Sequence, residues 1–513
     1  MQKTIVLQYI TKYFGLFLMI IFFMIGLIVN SDYGISFDEE FQHIMGIVSY
    51  DYIFSGNNDL LTFNCRAYGV AVELPLVMIE KVLNLTDSRD IYLSRHLITH
   101  LFFVLSAYFC FLLVDFLYKN KVVATIGFLL IMLCPQLYAH SFFNSKDVPS
   151  AALFLICFYL TAIAFNKQKN RYFILLGIGV GVLVNIRIMG VLLFCCILFF
   201  LVIDFIASKE NRYKQIKHII VFVLASFLAL YTTWPFLWTS PIENFKYAFI
   251  NMSKFPWDSV VLFNGSFIKA TQIDWTYIPT WFIITVPVLY LIISFGSTIL
   301  LFINFLKKPF AFLLNTKERN NLIYIICFFA PVLAVIILKS VLYDGWRHLF
   351  FIYPSFVLIA VYGINKLLNT KIKKIVITVV FIYFGYISYF MISNHPFQHL
   401  YFNELTNTTT PEYLRENFEL DYWGTSYKQS LEHILKEDKS LSINIKATIP
   451  CAYYNSYILP KKDRERLHFT DSIPDYFITN YRWHSKDYDE YKGKKWFAIK
   501  VTNNTINEVY KLK

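Results

Sequence analysis

Gly34-Ile35-Ser36-Phe37-Asp38-Glu39-Glu40-Phe41-Gln42-His43 places three consecutive carboxylates almost directly after an apolar run, Phe14 to Val29. A bilayer crossing takes ~20 apolar residues, so the run reads as a membrane span. The acids then stand at or just beyond a membrane surface. A solvated acidic loop is the plain alternative. Aromatic and apolar residues flank the cluster closely on both sides, which argues against a long polar loop. Isolated polar residues later in the chain return to the same side.

Composition points the same way. The chain is 57% hydrophobic and 16% charged, with a mean hydropathy of +0.49. A soluble domain carries roughly 25% charged residues, so this is an integral membrane protein. The net charge of +12 does not imply nucleic acid. The Lys and Arg lie in short runs between apolar segments, the positive-inside pattern. The eight Cys show no metal-ligand spacing. Only Cys65 and Cys451 fall in outer regions, and a disulfide between them is open. The first span lacks a small-residue cleavage site near Asn30-Ser31 and reads as an uncleaved signal anchor.

About eleven spans follow from length and loop charge. They are Phe14–Val29, His96–Tyr118, Val122–Ala139, Val148–Phe165, Tyr172–Ile186, Ile188–Ala207, His218–Trp234, Ile278–Leu306, Leu322–Leu338, Leu349–Ile364 and Ile375–Ile392. The fifth is short. Lys3 and Lys12 precede the first span. Lys119 and Lys121, then Lys167, Lys169 and Arg171, then Lys209, Arg212, Lys214 and Lys217 follow even-numbered spans. So do Lys307, Lys308, Lys317 and Arg319, and Lys366, Lys371, Lys373 and Lys374. All fall on the N-terminal side, which is therefore expected to be cytoplasmic. An odd number of spans puts the tail outside. The expected domains are a transmembrane part, 1–392, and an extracytoplasmic α/β domain, 393–513. In the tail, Ser426–Glu437 reads as a helix, and Leu441–Ile445, Tyr476–Thr479 and Trp496–Val501 read as strands.

The outer loops hold the unusual residues. Asn64-Cys65-Arg66-Ala67-Tyr68-Gly69 stands in the first of them. Val70–Leu85 is apolar but interrupted by Glu73, Pro75, Glu80 and Lys81, and is expected to lie along the interface. Leu237–Pro279 is rich in Trp, Phe and Pro and long enough to be a lid or binding loop.

Four polar groups converge on the outer face: Asp38-Glu39-Glu40; Asn144-Ser145-Lys146-Asp147-Val148-Pro149; Asn185-Ile186-Arg187; and Asp344-Gly345-Trp346-Arg347-His348. Arg66 and Arg95 are further candidates. Taken singly, each has an ordinary reading. Asp147 before Val-Pro would cap a helix. Arg347 and His348 would be interfacial anchors. Arg187 is harder to set aside, because an Arg near membrane depth needs a partner or an anion.

The combination suits one chemistry. A lipid-linked phosphate needs cations, and Arg forks fit phosphate oxygens. Arg66, Lys146, Arg187, Arg347 and His348 are the candidates. An acceptor hydroxyl or amine needs a carboxylate base. A second acid would orient the acceptor or hold a divalent cation, with Asp38 and Asp147 the candidate ligands. Displacement of a sugar from a polyprenyl phosphate uses all three parts.

These residues resemble the GT-C membrane glycosyltransferases. The nearest branch is the protein O-mannosyltransferase and aminoarabinose-transferase group, glycosyltransferase family 39. Phe37-Asp38-Glu39 is similar to the first-loop motif, Asn144–Pro149 to the second acidic loop, and the Arg347 region to a late outer loop. Asn394-His395-Pro396, Tyr401-Phe402-Asn403 and Glu419-Leu420-Asp421-Tyr422-Trp423-Gly424 resemble bacterial members. The resemblance implies an inverting hexosyl- or pentosyltransferase. It would take a sugar from a polyprenyl-phosphate-linked donor on the outer face and pass it to a lipid, glycan or protein acceptor. It implies Asp38 as base, with Glu39 and Asp147 in the catalytic set, and leaves a divalent metal open. No three-part lumenal repeat domain is recognisable, which puts a protein acceptor in doubt, and the resemblance of the short α/β tail to bacterial members implies a bacterial inner membrane. A transporter or flippase of lipid-linked sugars is the main alternative. Against it, no two related halves are visible, and the polar groups collect at one face instead of the midplane.

Overall fold

The computed structural model describes residues 2–208, 210–253 and 257–513, with side chains described from residue 13 onward. Lys209, residues 254–256 of the aromatic outer loop, and the side chains of Lys3 and Lys12 lie outside the described residues.

The chain is an α-helical polytopic membrane protein with a small C-terminal α/β unit. Among the described residues, nine helices are long and apolar enough to cross a membrane. The pair Lys121–Met132 and Pro135–Phe143, bent by 60°, makes a tenth. The sequence led to about eleven. The difference is Asn170–Ile186, which at 17 residues falls below the length of the nine. It still runs from one end of the bundle, where Gln168 meets Gln215 at 3.2 Å, to the other, where Arg187 reaches Asp147, so the alternation expected from the sequence is kept. It packs closely along Arg212–Thr233. A Cβ at Gly177 or Gly181 would strike Phe222, Ser226 or Ala229 of that neighbour, the small-residue packing that holds helices together in lipid.

Local chemistry sets several boundaries. Asp87 caps Ser88–Tyr118 by accepting from the Arg89 amide at 2.9 Å, so this helix starts earlier than His96. Asn120 and Asn315 cap Lys121–Met132 and Thr316–Ile337 in the same way. The single span expected over Ile278–Leu306 is two helices, Tyr277–Thr285 and Val288–Lys307. Pro287 stands between them, and a proline pushes the residue before it out of helical geometry.

Arg347–Leu368 is 83% buried and Tyr13–Asp32 only 17%. The first is therefore the centre of the bundle, and the second presents its apolar side chains outward, as lipid requires. Because successive helices alternate in direction, the polar loops read as outer meet at one end. At the other end, Arg319 pairs with Asp204 at 2.6 Å.

The tail forms a five-stranded sheet in the order Leu467–Phe469, Ile443–Ala447, Tyr476–Thr479, Asn504–Lys511, Lys495–Val501. The first three strands run parallel and the last two pair antiparallel. Helix Tyr427–Glu437 covers one face with Tyr427, Leu431 and Ile434. The sequence reading missed two strands. Leu467–Phe469 is only three residues, and Asn504–Lys511 buries Asn504, Thr505, Asn507 and Glu508, so neither shows apolar alternation.

This unit grips the acidic stretch. Asn455 accepts from the Ile35 amide and donates to the Ile35 carbonyl, both at 2.9 Å. The Phe37 amide donates to the Trp423 carbonyl at 3.0 Å. The long outer loop folds into helix Pro241–Ser253 and hairpin Val260–Phe263/Ser266–Lys269, and Phe263 bridges to Phe418 of the tail.

Candidate active site

Asp38 stands where a helix N-cap would be, just before Glu39–Phe54, yet its side chain makes no capping bond. Its carboxylate accepts instead from Arg347 Nη1 at 2.9 Å and stays about one-third exposed. Asp147 also departs from the capping reading. At the start of Asp147–Lys167, it takes the guanidinium of Arg187 and the Asn144 amide at 3.0 Å. Arg347 Nη1 lies 3.7 Å away. Asn144 turns the loop by accepting from the Asp147 amide at 2.8 Å, a local side-chain-to-backbone turn. The four polar loops therefore meet at one point, with Asp38 and Asp147 on either side of Arg347.

Backbone permissiveness at two glycines builds this point. Gly69 lies against the end of Asn170–Ile186, where a Cβ would strike the Asn185 carbonyl and side chain. That approach brings Tyr68 over Lys146, whose Nζ is 3.2 Å from the ring centroid. Gly345 adopts φ +69, the left-handed region that glycine enters freely. The turn sends Trp346 inward to donate to Thr285 at 2.9 Å and leaves Arg347 facing the site.

Arg347 divides its fork. Nη1 reaches Asp38, and Nη2 reaches Asp344 at 2.8 Å. The other oxygen of Asp344 accepts from Arg482 of the tail at 2.7 Å. The Trp423 and Tyr343 rings flank the Arg347 guanidinium at 4.5 and 5.1 Å. Trp257 of the long loop stacks on Tyr343 at 4.3 Å, which places that loop over the site.

Arg187, Arg347 and Arg482 thus pair with Asp38, Asp147 and Asp344. Glu419 lies buried beside Arg482, and Lys146 stands against the Tyr68 ring without an ion pair of its own among the described residues. The crowding of cations shows at two of them. Burial and the neighbouring Arg187 hold the Lys146 ammonium well below its ordinary pKa. Burial and Arg347 push Arg187 down to about 10, so it stays charged at neutral pH. An arriving anion would stabilise the charge on both.

Most of the other sequence candidates sit elsewhere. Glu39 is buried against His96 at 2.9 Å and the Ser36 amide at 2.7 Å. It holds the turn and does not face Arg347. Glu40 accepts from Tyr92. Arg66 bonds the Phe63 carbonyl at 3.1 Å and packs over Tyr247, at the rim. His348 stays beside the site: it meets Tyr343, the ring that flanks Arg347, edge-on at 4.6 Å, with Arg347, Arg187 and Lys146 as its charged neighbours. Arg95 is buried between Glu73 and Glu80, which orient helix Glu73–Val82 inward. All eight cysteines are free thiols, and Cys451 is buried beneath Trp423.

A divalent cation fits this donor set poorly. Asp38 and Asp147 share one arginine, and Lys146 and Arg187 stand beside them. No group of three His, Cys, Asp or Glu side chains able to hold a metal ion occurs among the described residues.

Four contributors escaped the sequence reading. Tyr68 and Asp344 lay inside quoted stretches but carried no role. Trp423 and Arg482 come from the tail. The signal for Arg482 was an arginine between Tyr481 and Trp483 just after strand Tyr476–Thr479.

No curated protein matches this sequence. Among solved structures, the chain is similar to the oligosaccharyltransferase AglB of Archaeoglobus fulgidus in complex with an inhibitory peptide and a dolichol-phosphate. The identity is 11% and the TM-score 0.49, covering 92% of this chain and 70% of that one. The form of that enzyme tethered to an acceptor peptide gives 11% and 0.49, covering 90% of this chain. This chain spans 64% of that protein's length. ArnT from Cupriavidus metallidurans bound to undecaprenyl phosphate gives 9% and 0.43, covering 97% and 98%. Residues 79–238 match the family model described as dolichyl-phosphate-mannose-protein mannosyltransferase. That segment holds Lys146, Asp147 and Arg187, while Asp38 and Arg347 lie outside it. That family match bears out the resemblance to membrane glycosyltransferases read from the sequence.

Proposed function

We propose that the protein is an inverting glycosyltransferase that uses a polyprenyl-phosphate-linked sugar at the outer face of a bacterial inner membrane. The observation that carries this is the pairing of a partly exposed carboxylate, Asp38, with two neighbouring cations, Lys146 and Arg187, whose charged forms are disfavoured by burial and nearby arginines. The family match over residues 79–238 supports the same class.

In this reading Lys146 and Arg187 take the donor phosphate. Arg347 carries its charge among Asp38, Asp147 and Asp344 and serves to hold Asp38 in place. The acceptor hydroxyl or amine gives its proton to Asp38 as its oxygen or nitrogen bonds to the anomeric carbon. The bond from that carbon to the phosphate oxygen breaks, and the electron pair leaves with the polyprenyl phosphate. Lys146 and Arg187 stabilise the charge that develops there. No step requires a metal.

The test is transfer in vitro. Purified protein is given a polyprenyl-phosphate sugar, and release of polyprenyl phosphate is followed alongside glycosylated product. A deletion strain accumulating one polyprenyl-phosphate sugar would identify the donor. Absence of release with every such donor contradicts the reading.

A further inference from the structure

On the far side of the segment that carries Asp38, a cleft of about 430 Å³ opens, a volume typical of small-molecule sites. It lies between helix Glu39–Phe54, the start of Ser88–Tyr118 and the C-terminal unit. Tyr92, Tyr453, Tyr457 and Phe469 supply aromatic walls, and Glu40 and Glu465 supply carboxylates. Tyr92 and Tyr457 are nearly parallel, 18° apart with centroids at 6.2 Å. Tyr453 stands edge-on to Tyr457 at 5.1 Å and to Phe469 at 5.5 Å. It remains 47% exposed, a large ring left at the rim.

The basic groups here are already paired. Arg464 forks onto Asp87 at 2.6 and 3.0 Å, and His43 meets Glu80 at 2.8 Å. The hydroxyls of Ser88 and Ser456 donate to backbone carbonyls. What the cleft offers a ligand is therefore aromatic faces, two carboxylates and the hydroxyls of Tyr453 and Tyr457, which both donate and accept. An anion would meet two carboxylates. A neutral sugar fits, with its C–H face against the electron-rich rings and its hydroxyls donating to the acids.

We propose that this cleft binds a neutral oligosaccharide, the glycan acceptor of the transfer. The role as acceptor rests on the glycosyltransferase reading; the binding itself does not. Asp38, Glu39 and Glu40 turn successively toward Arg347, His96 and Tyr92. One turn of chain thus borders both the reacting space and the cleft. A peptide added to the edge strand Leu467–Phe469 is the competing occupant, but three residues offer a short ladder.

The full-length protein in detergent is titrated with maltotriose, chitotriose and α-mannotriose, with binding read by saturation-transfer NMR and calorimetry. At least one binds, and Tyr457→Ala weakens it by about tenfold. Tyr457 also packs on Tyr92, so Tyr453→Ala at the rim is the second variant and weakens binding without a change in melting temperature. In the transfer assay both variants raise the KM for a glycan acceptor more than they lower kcat. The proposal is overturned if none of the three binds. It is equally overturned if neither variant alters binding, or if a Ser/Thr-rich peptide binds the cleft and the sugars do not. Trisaccharide binding by a protein that releases no polyprenyl phosphate supports the cleft and removes the enzyme reading instead.

Discussion

Arg482 donates to Asp344 at 2.7 Å across 138 residues of sequence, so the C-terminal unit completes the site at the membrane surface. Asp344 in turn holds Arg347, which holds Asp38. The chain of contacts makes Arg482 a positioning residue. Arg482→Ala leaves one oxygen of a buried carboxylate unpaired and frees Arg347 to tilt. A small misplacement of a reacting group can cost on the order of a hundredfold in rate. We expect kcat to fall by about ten- to a hundredfold with the donor KM nearly unchanged, and Arg482→Lys to recover part of it. A donor KM that rises while kcat holds would place Arg482 in donor binding instead.

Lys146 and Arg187 should govern donor affinity. Hydrogen bonds to charged groups contribute about 1.5–3 kcal/mol, so Arg187→Ala is expected to weaken binding of a polyprenyl phosphate by roughly ten- to a hundredfold. Arg187→Lys keeps the charge and loses the fork, and should fall between. Direct binding to protein in nanodiscs checks this. Unchanged affinity in both Arg187→Ala and Lys146→Ala would move the phosphate toward Arg66 at the rim.

Glu419 predicts a pH effect on stability. It is buried beside Arg482, Asp344 and the Leu262 amide without a well-formed hydrogen bond to either oxygen. Burial pushes its carboxyl up to about 8 from an ordinary 4.5. Between those values the folded protein holds a proton that the unfolded chain has released, so Glu419 makes stability fall as pH rises through that window. Glu419→Gln removes the slope. The variant should melt a few degrees above wild type at pH 8.5, with the gap closing toward pH 5. Parallel melting curves across pH would contradict this assignment.

Orientation is testable apart from chemistry. From the Lys and Arg asymmetry the site end is expected outside. A reporter fused after Lys513 should read as external, and one inserted between Ser208 and Lys217 as cytoplasmic. A cytoplasmic signal from the tail would reverse the placement of every residue in the site.

The sequence displayed the loops but not the pairings. Asp38, Asp147, Arg187 and Arg347 were visible because a charge beside an apolar run demands an explanation. Glu39 drew the same suspicion, yet neighbouring residues on a helix point in different directions, and its partner His96 could not be read from spacing. Arg482 was hidden because its role depends on how a separate folding unit docks. Counting spans by length stumbles at Asn170–Ile186, which is only 17 residues long, and a span boundary slipped where Pro287 splits an apolar run. The strand Asn504–Lys511 was invisible because its buried residues are largely polar and satisfied by partners such as Ser426 and Ser430.

Asp38→Asn is the most direct test of the central claim that Asp38 accepts the acceptor proton. The substitution keeps the shape and leaves Arg347 an oxygen to bond, so the fold should hold. The measurement is the rate of sugar transfer from a polyprenyl-phosphate donor in vitro, with protein amount and melting temperature matched to wild type and Glu39→Gln as the neighbouring control. Loss of a general base typically costs on the order of a hundred- to ten-thousand-fold. The account predicts a loss in that range for Asp38→Asn with donor binding retained, and a smaller loss for Glu39→Gln. Transfer at the wild-type rate by Asp38→Asn would contradict it.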